Sequence, residues 1–131
     1  MARPVAVITG AARGIGLESA RRLSATHRVA LLDIDATGAE AAAAAIGGDA
    51  VWAACDIARA DSVAAAVDDV VERCGGIDVA IANAGVAPPP GTILSVGADA
   101  WERVLEINLS GVTLVWLPWV AKADATAERA Y

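Results

Sequence analysis

The chain predicts an α/β fold, three αβα layers around a parallel sheet, and three observations carry that expectation. Short apolar runs alternate with longer amphipathic ones along most of the sequence, the rhythm of βαβ units. The short runs are apolar without alternation, as strands covered by helices on both faces must be. A glycine-rich turn, Gly10-Ala11-Ala12-Arg13-Gly14-Ile15-Gly16, stands directly between the first short run and the first long one.

The elements follow in order. Residues 4–9 are a strand and residues 14–26 a helix; residues 28–33 are the second strand. The next helix covers residues 36–46, with Asp35 as its N-cap and Gly47-Gly48 as its stop. Residues 50–54 form a third strand. Asp61 is expected to cap a helix that runs to Cys74 and ends at Gly75-Gly76. Residues 77–82 are the fourth strand, residues 86–91 with three prolines a loop, and helix resumes from about residue 98. Right-handed crossovers then give the half-Rossmann strand order 3-2-1-4. One domain is expected over residues 1–131.

Composition narrows the function. Ten Lys plus Arg against sixteen Asp plus Glu leave a net charge of −6, and no basic cluster exceeds Arg21-Arg22. Nothing there neutralises a phosphate backbone, so nucleic acid is not an expected partner. The longest apolar stretch near the C-terminus, residues 112–121, is about half the ~20 residues a bilayer span needs. No signal pattern precedes the first strand, so a cytoplasmic protein without membrane attachment is expected. Cys55 and Cys74 have no metal-ligand spacing and suit small buried hydrophobes; no metal is expected. His27, the lone histidine, falls in a turn and suits a surface residue. With 33 alanines and no Phe, the Val, Ile, Leu and Trp side chains must supply much of the core.

The glycine turn follows a strand and opens a helix, the context in which such a turn carries chemistry. Glycines allow the tight turn and let a pyrophosphate approach backbone N–H groups at a helix N-terminus, where the dipole favours anions. Asp33 ends the second strand, where a carboxylate accepts hydrogen bonds from adenosine ribose hydroxyls and repels a 2′-phosphate. Arg13 pulls the other way, since a guanidinium beside the phosphates suits a 2′-phosphate. Asp33 occupies the place that phosphate would need, so NAD is expected over NADP.

The glycine spacing is G-x-x-x-G-x-G. Joined to Asn83-Ala84-Gly85 after the fourth strand, it resembles the classical short-chain dehydrogenase/reductase family. Cys55-Asp56-Ile57 resembles the family's Asp after the third strand, and the stretch from Trp101 to Val112 resembles the helix with its catalytic Asn, here Asn108. The resemblance covers residues 4–120 in order. It implies that Gly10, Arg13, Gly14, Ile15 and Gly16 hold pyrophosphate, Asp33 ribose, and Asp56 and Ile57 adenine. Asn83, Ala84 and Gly85 would line the nicotinamide side, and Asn108 would be catalytic. The alternatives are a turn cap for Asp56, a strand tie for Asn83 and a core amide for Asn108.

The implied activity is reversible hydride transfer between a secondary alcohol and its ketone, with NAD. That reaction needs a proton donor, because hydride transfer alone leaves an unstabilised alkoxide. The family uses a Tyr, a Lys four residues later and a Ser. Here the only Tyr is Tyr131, the only Lys is Lys122, and Ser110 lies on the Asn108 helix. The resemblance fades after about residue 122, so the expectation is a truncated cofactor-binding portion, inactive alone. A non-catalytic NAD-binding module and a non-functional remnant are its rivals. The fourth strand would be an exposed edge, which predicts marginal stability and association, as a homo-oligomer, through that edge and the Asn108 helix. Trp116 and Trp119 suit core or subunit contacts there.

Overall fold

The computed structural model describes residues 2–127, and Tyr131 lies outside them. Four parallel strands, β1 (Val5–Thr9), β2 (Arg28–Asp33), β3 (Val51–Ala54) and β4 (Val79–Ile81), form one sheet in the expected order β3-β2-β1-β4. In register, Ala6 to Ile8 of β1 face Val79 to Ile81 of β4, and Val5 to Thr9 face Arg28 to Leu32 of β2.

Successive strand residues point to opposite faces, and both faces are covered. Val5, Val7, Ala30 and Leu32 pack on one side with Val63, Val67 and Val70 of α3 (Ala60–Cys74) and Val115 of α5 (Gly111–Ala127). Ala6, Ile8, Val29 and Leu31 pack on the other with Ala20 of α1 (Gly14–Leu23) and Ala42 and Ala43 of α2 (Ala36–Ile46).

The ends of several elements move relative to expectation. Helix α1 stops at Leu23, because Thr26 and His27 both turn back their N–H groups to the Leu23 carbonyl, at 2.9 and 2.7 Å. His27 is half-buried in that turn, its Nδ1 2.8 Å from Thr26 Oγ1. Helix α2 keeps its expected span and cap, with Asp35 Oδ1 accepting from the Gly38 N–H at 3.0 Å. Asp61, however, is not the cap of α3. Extended Arg59 precedes Ala60, which leaves Asp61 inside the first turn, where it pairs with Arg59 at 2.8 Å. Gly75 ends α3 at φ +89°, a left-handed conformation suited to glycine.

Strand β4 has three residues, not six. Asp78 spends its carboxylate on the Val5 N–H at 2.7 Å, and beyond Ile81 the N–H groups of Asn83 and Ala84 go to the Thr9 hydroxyl. Helix α4 (Ala98–Leu105) starts where expected and continues through a π-helical turn, Glu106–Ser110, into α5. Trp116 and Trp119 meet edge to face at 5.0 Å between ring centres. Among the described residues, no helix is long and apolar enough to cross a membrane, and no group of side chains could hold a metal ion.

Candidate functional site

A cleft of about 280 Å³ opens at the carboxyl ends of the strands, the usual ligand position in an open α/β sheet. Its floor is a seam between the ends of β1 and β4. Thr9, only 1% exposed, accepts through Oγ1 from the N–H groups of Asn83 and Ala84, both at 3.1 Å. Asn83 returns the bond: its Nδ2 donates to the carbonyls of Thr9 at 3.0 Å and Gly10 at 3.2 Å. Asn83 is thus a tie between the strand ends as well as a cleft residue.

The glycine turn is shaped by what cannot fit. Gly10 has φ +64°, and a Cβ on it would stand 2.8 Å from Ala84 Cα. A Cβ on Gly16 would be driven into the Gly10 carbonyl and stand 2.6 Å from Asn83 Nδ2. Gly14, at φ +60°, has nothing within 4 Å, so the space above the start of α1 is open. No side chain caps α1, and no acidic residue occupies its first turn. The first N–H groups of that helix are therefore left without a side-chain cap at the positive end of the helix dipole, where an anion is favoured. Ile15 is 79% exposed, so its part in such a site is its backbone N–H.

Asp33 is held at the end of β2 by both oxygens. Oδ2 accepts from the Ala12 N–H and Oδ1 from the Asp35 N–H, each at 2.9 Å. Asp56 does serve as a turn cap, its Oδ1 accepting from Ala58 N–H at 3.0 Å, while its own N–H donates to Ser62 Oγ at 2.9 Å. It lines the cleft in addition. Ile57 is buried and sits so close to Gly111 that a Cβ there would stand 2.9 Å from Ile57 Cδ1.

Asn108 lies in the π-helical turn, and its amide closes a two-bond ring with one peptide. Oδ1 accepts from the Val86 N–H and Nδ2 donates to the Val86 carbonyl, both at 2.8 Å. Val86 follows Asn83-Ala84-Gly85 and lines the cleft, so Asn108 fixes that wall through a backbone contact.

Eight of the expected residues share the cleft: Gly10, Arg13, Asp33, Asp56, Ile57, Asn83, Ala84 and Gly85. Gly14, Ile15 and Gly16 begin the adjoining helix. Cys55 also lines the cleft; burial, then the nearby Asp56 and Asp33 charges, push its thiol up to about 11, which keeps it neutral and unreactive. Thr9, Ile34 and Arg103 were not singled out by sequence reasoning. Thr9 left one signal, a lone hydroxyl closing an otherwise apolar strand. For Arg103 there was none, since only the packing of α4 brings it to the cleft.

Sheet order, glycine turn and acidic strand end together define a Rossmann-type α/β protein. Within that class the chain belongs to the short chain dehydrogenase family, whose model matches residues 4–121. It is 41% identical over 116 residues to the cis-4-hydroxycyclohexanecarboxylate dehydrogenase of Sinomonas cyclohexanicum, across 86% of this chain and 47% of that protein. The structure is similar to a 3-ketoacyl-(acyl-carrier-protein) reductase from Brucella melitensis complexed with NADH, with TM-score 0.84, 31% identity, and coverage of 95% of this chain and 53% of that one. It is also similar to a metagenomic short-chain oxidoreductase in complex with NADP, with TM-score 0.85, 33% identity, and coverage of 95% and 58%. The chain spans about half the length of the curated relatives it matches.

Proposed function

We propose that these residues form the cofactor-binding half of an NAD-preferring oxidoreductase acting between secondary alcohols and ketones. The observation that carries the reading is the Asp33 carboxylate, fixed by two backbone N–H groups at the cleft. Such a group accepts ribose hydroxyls and repels a 2′-phosphate. The residues present fit a dinucleotide, because the α1 N-terminus is uncapped and the space at Gly14 is open.

In this reading the N–H groups of the glycine turn hold the pyrophosphate, with Arg13 beside them. Asp33 holds the adenosine ribose, and Asp56 and Ile57 meet adenine. Asn83, Ala84, Gly85 and Val86 form the wall at the nicotinamide end, which Asn108 keeps in place. The nicotinamide, when bound, supplies or accepts the hydride. The one Tyr and one Lys of these 131 residues stand in the wrong order for the family's proton relay. We therefore assign binding and orientation, not proton transfer, to this stretch.

Calorimetric titration with NAD and NADP tests the assignment. Wild type is expected to bind NAD more tightly. Asp33→Asn should weaken NAD by about 10-fold, the scale of a charged hydrogen bond, and strengthen NADP. Tighter binding of NADP by wild type would refute the preference, and no binding of either would refute the nucleotide site.

Association through the Asn108 helix has support in exposed Trp101, Leu105 and Leu109, 40 to 65% accessible along α4 and the π turn. Sedimentation should show oligomers that Leu109→Glu reduces; a monomer at all concentrations would exclude the idea.

A further inference from the structure

We propose that Arg103 contacts the nucleotide, its guanidinium closing over the purine at the Asp56–Ile57 end of the cleft. This rests on the dinucleotide reading above and assigns to it a residue that no motif marks.

Gly111, Ile107 and Arg103 recur every four residues along α5, the π turn and α4, one ridge on one side of the helix. The ridge starts against Ile57, which crowds Gly111. Ile107 is 7% exposed and belongs to the same core cluster as Ile57. Arg103 is the next position outward, where the ridge leaves the core and joins the cleft lining that also includes Asp56 and Ile57.

The guanidinium is available there. Among the described residues its one ion pair is with Glu106, at 3.3 Å, and both side chains are more than half exposed. Such a pair contributes about 0–1 kcal/mol and does not hold the side chain against a competing contact. The surroundings select the ligand group. Asp33 and Asp56 line the same cleft and disfavour a further phosphate, whereas Ile34, 67% exposed, offers it an uncovered aliphatic surface. A flat, electron-rich ring suits an aliphatic surface and a planar cation together, and guanidinium groups stack on aromatic faces.

The test titrates NAD, AMP and nicotinamide mononucleotide into the full chain as wild type, Arg103→Ala and Arg103→Lys. Arg103→Ala should weaken NAD and AMP by the same factor, roughly 3- to 10-fold, and leave the mononucleotide unchanged. Arg103→Lys keeps the charge and loses the plane, so it should show the same loss. Unchanged AMP binding in Arg103→Ala, or full rescue by Lys, would overturn the inference and leave the dinucleotide reading standing. A wild type that binds neither NAD nor AMP would overturn both.

Discussion

Replacing Thr9 by Val changes almost nothing in shape and removes one oxygen. That oxygen accepts the N–H groups of both Asn83 and Ala84, at 3.1 Å each, from a side chain 1% exposed. Valine leaves two donors in a part-buried seam with no acceptor. An unsatisfied buried donor costs about 1–3 kcal/mol, and part-burial places these at the lower end, so the variant should lose about 2–3 kcal/mol. Urea unfolding slopes of about 1–3 kcal/mol/M turn that into a midpoint lowered by about 0.7–3 M. Thr9→Ser keeps the hydroxyl and should lose about 1 kcal/mol or less, the scale of one buried methyl. Nucleotide affinity should fall in Thr9→Val as well, because Gly10 and Ala84 meet across the seam. A Thr9→Val midpoint equal to that of Thr9→Ser would refute the seam as a stabilising feature.

The glycine turn makes a ranked prediction. Gly14→Ala meets open space and should cost only the backbone strain of φ +60°, about 1–2 kcal/mol, whereas Gly16→Ala must displace the Gly10 carbonyl and should cost about 3 kcal/mol or more. Equal melting temperatures for the two would refute the ranking. Cys55 predicts a pH dependence. Its thiol is raised from 9.0 to about 11 in the folded chain, so between those values the unfolded chain sheds the proton first and stability falls as pH rises. Over that window the loss is about 2 kcal/mol. Urea midpoints at pH 8.5 and 10.5 should show it, and Cys55→Ala should remove most of it; an unchanged slope in that variant would place the effect elsewhere.

What was legible depended on how local the cause is. The strand order follows from apolar runs and glycine stops, and Asp35 caps α2 because a carboxylate three residues before Gly38 reaches its N–H without help from the fold. Asp61 was misplaced for the opposite reason. A cap depends on which residue leaves the extended conformation first, and an acidic residue suits the cap and the first turn alike. The length of β4 was hidden because Asp78, Asn83 and Ala84 each spend bonds on β1 and its flanks, 73 to 75 residues away. Asp33 and Gly10 could be placed at the cleft from the ends of their strands and the strand–turn–helix context. That Asn108 grips Val86 could not, since sequence offers an amide no means of choosing among the backbone groups that the fold brings near.

The Thr9–Asn83 seam also orders events in time. Its two ends are 74 residues apart, so the cleft floor cannot exist until β4, three βαβ connections further along the chain, lies beside β1. Contacts of that sequence separation form late, because the loop entropy must be surrendered before they return anything. Strands β1 and β2, joined by a single short helix, can pair long before. A growing chain thus acquires its glycine turn early, the floor of its cleft only after Ala84, and the complete cleft only after Ile107 has been added.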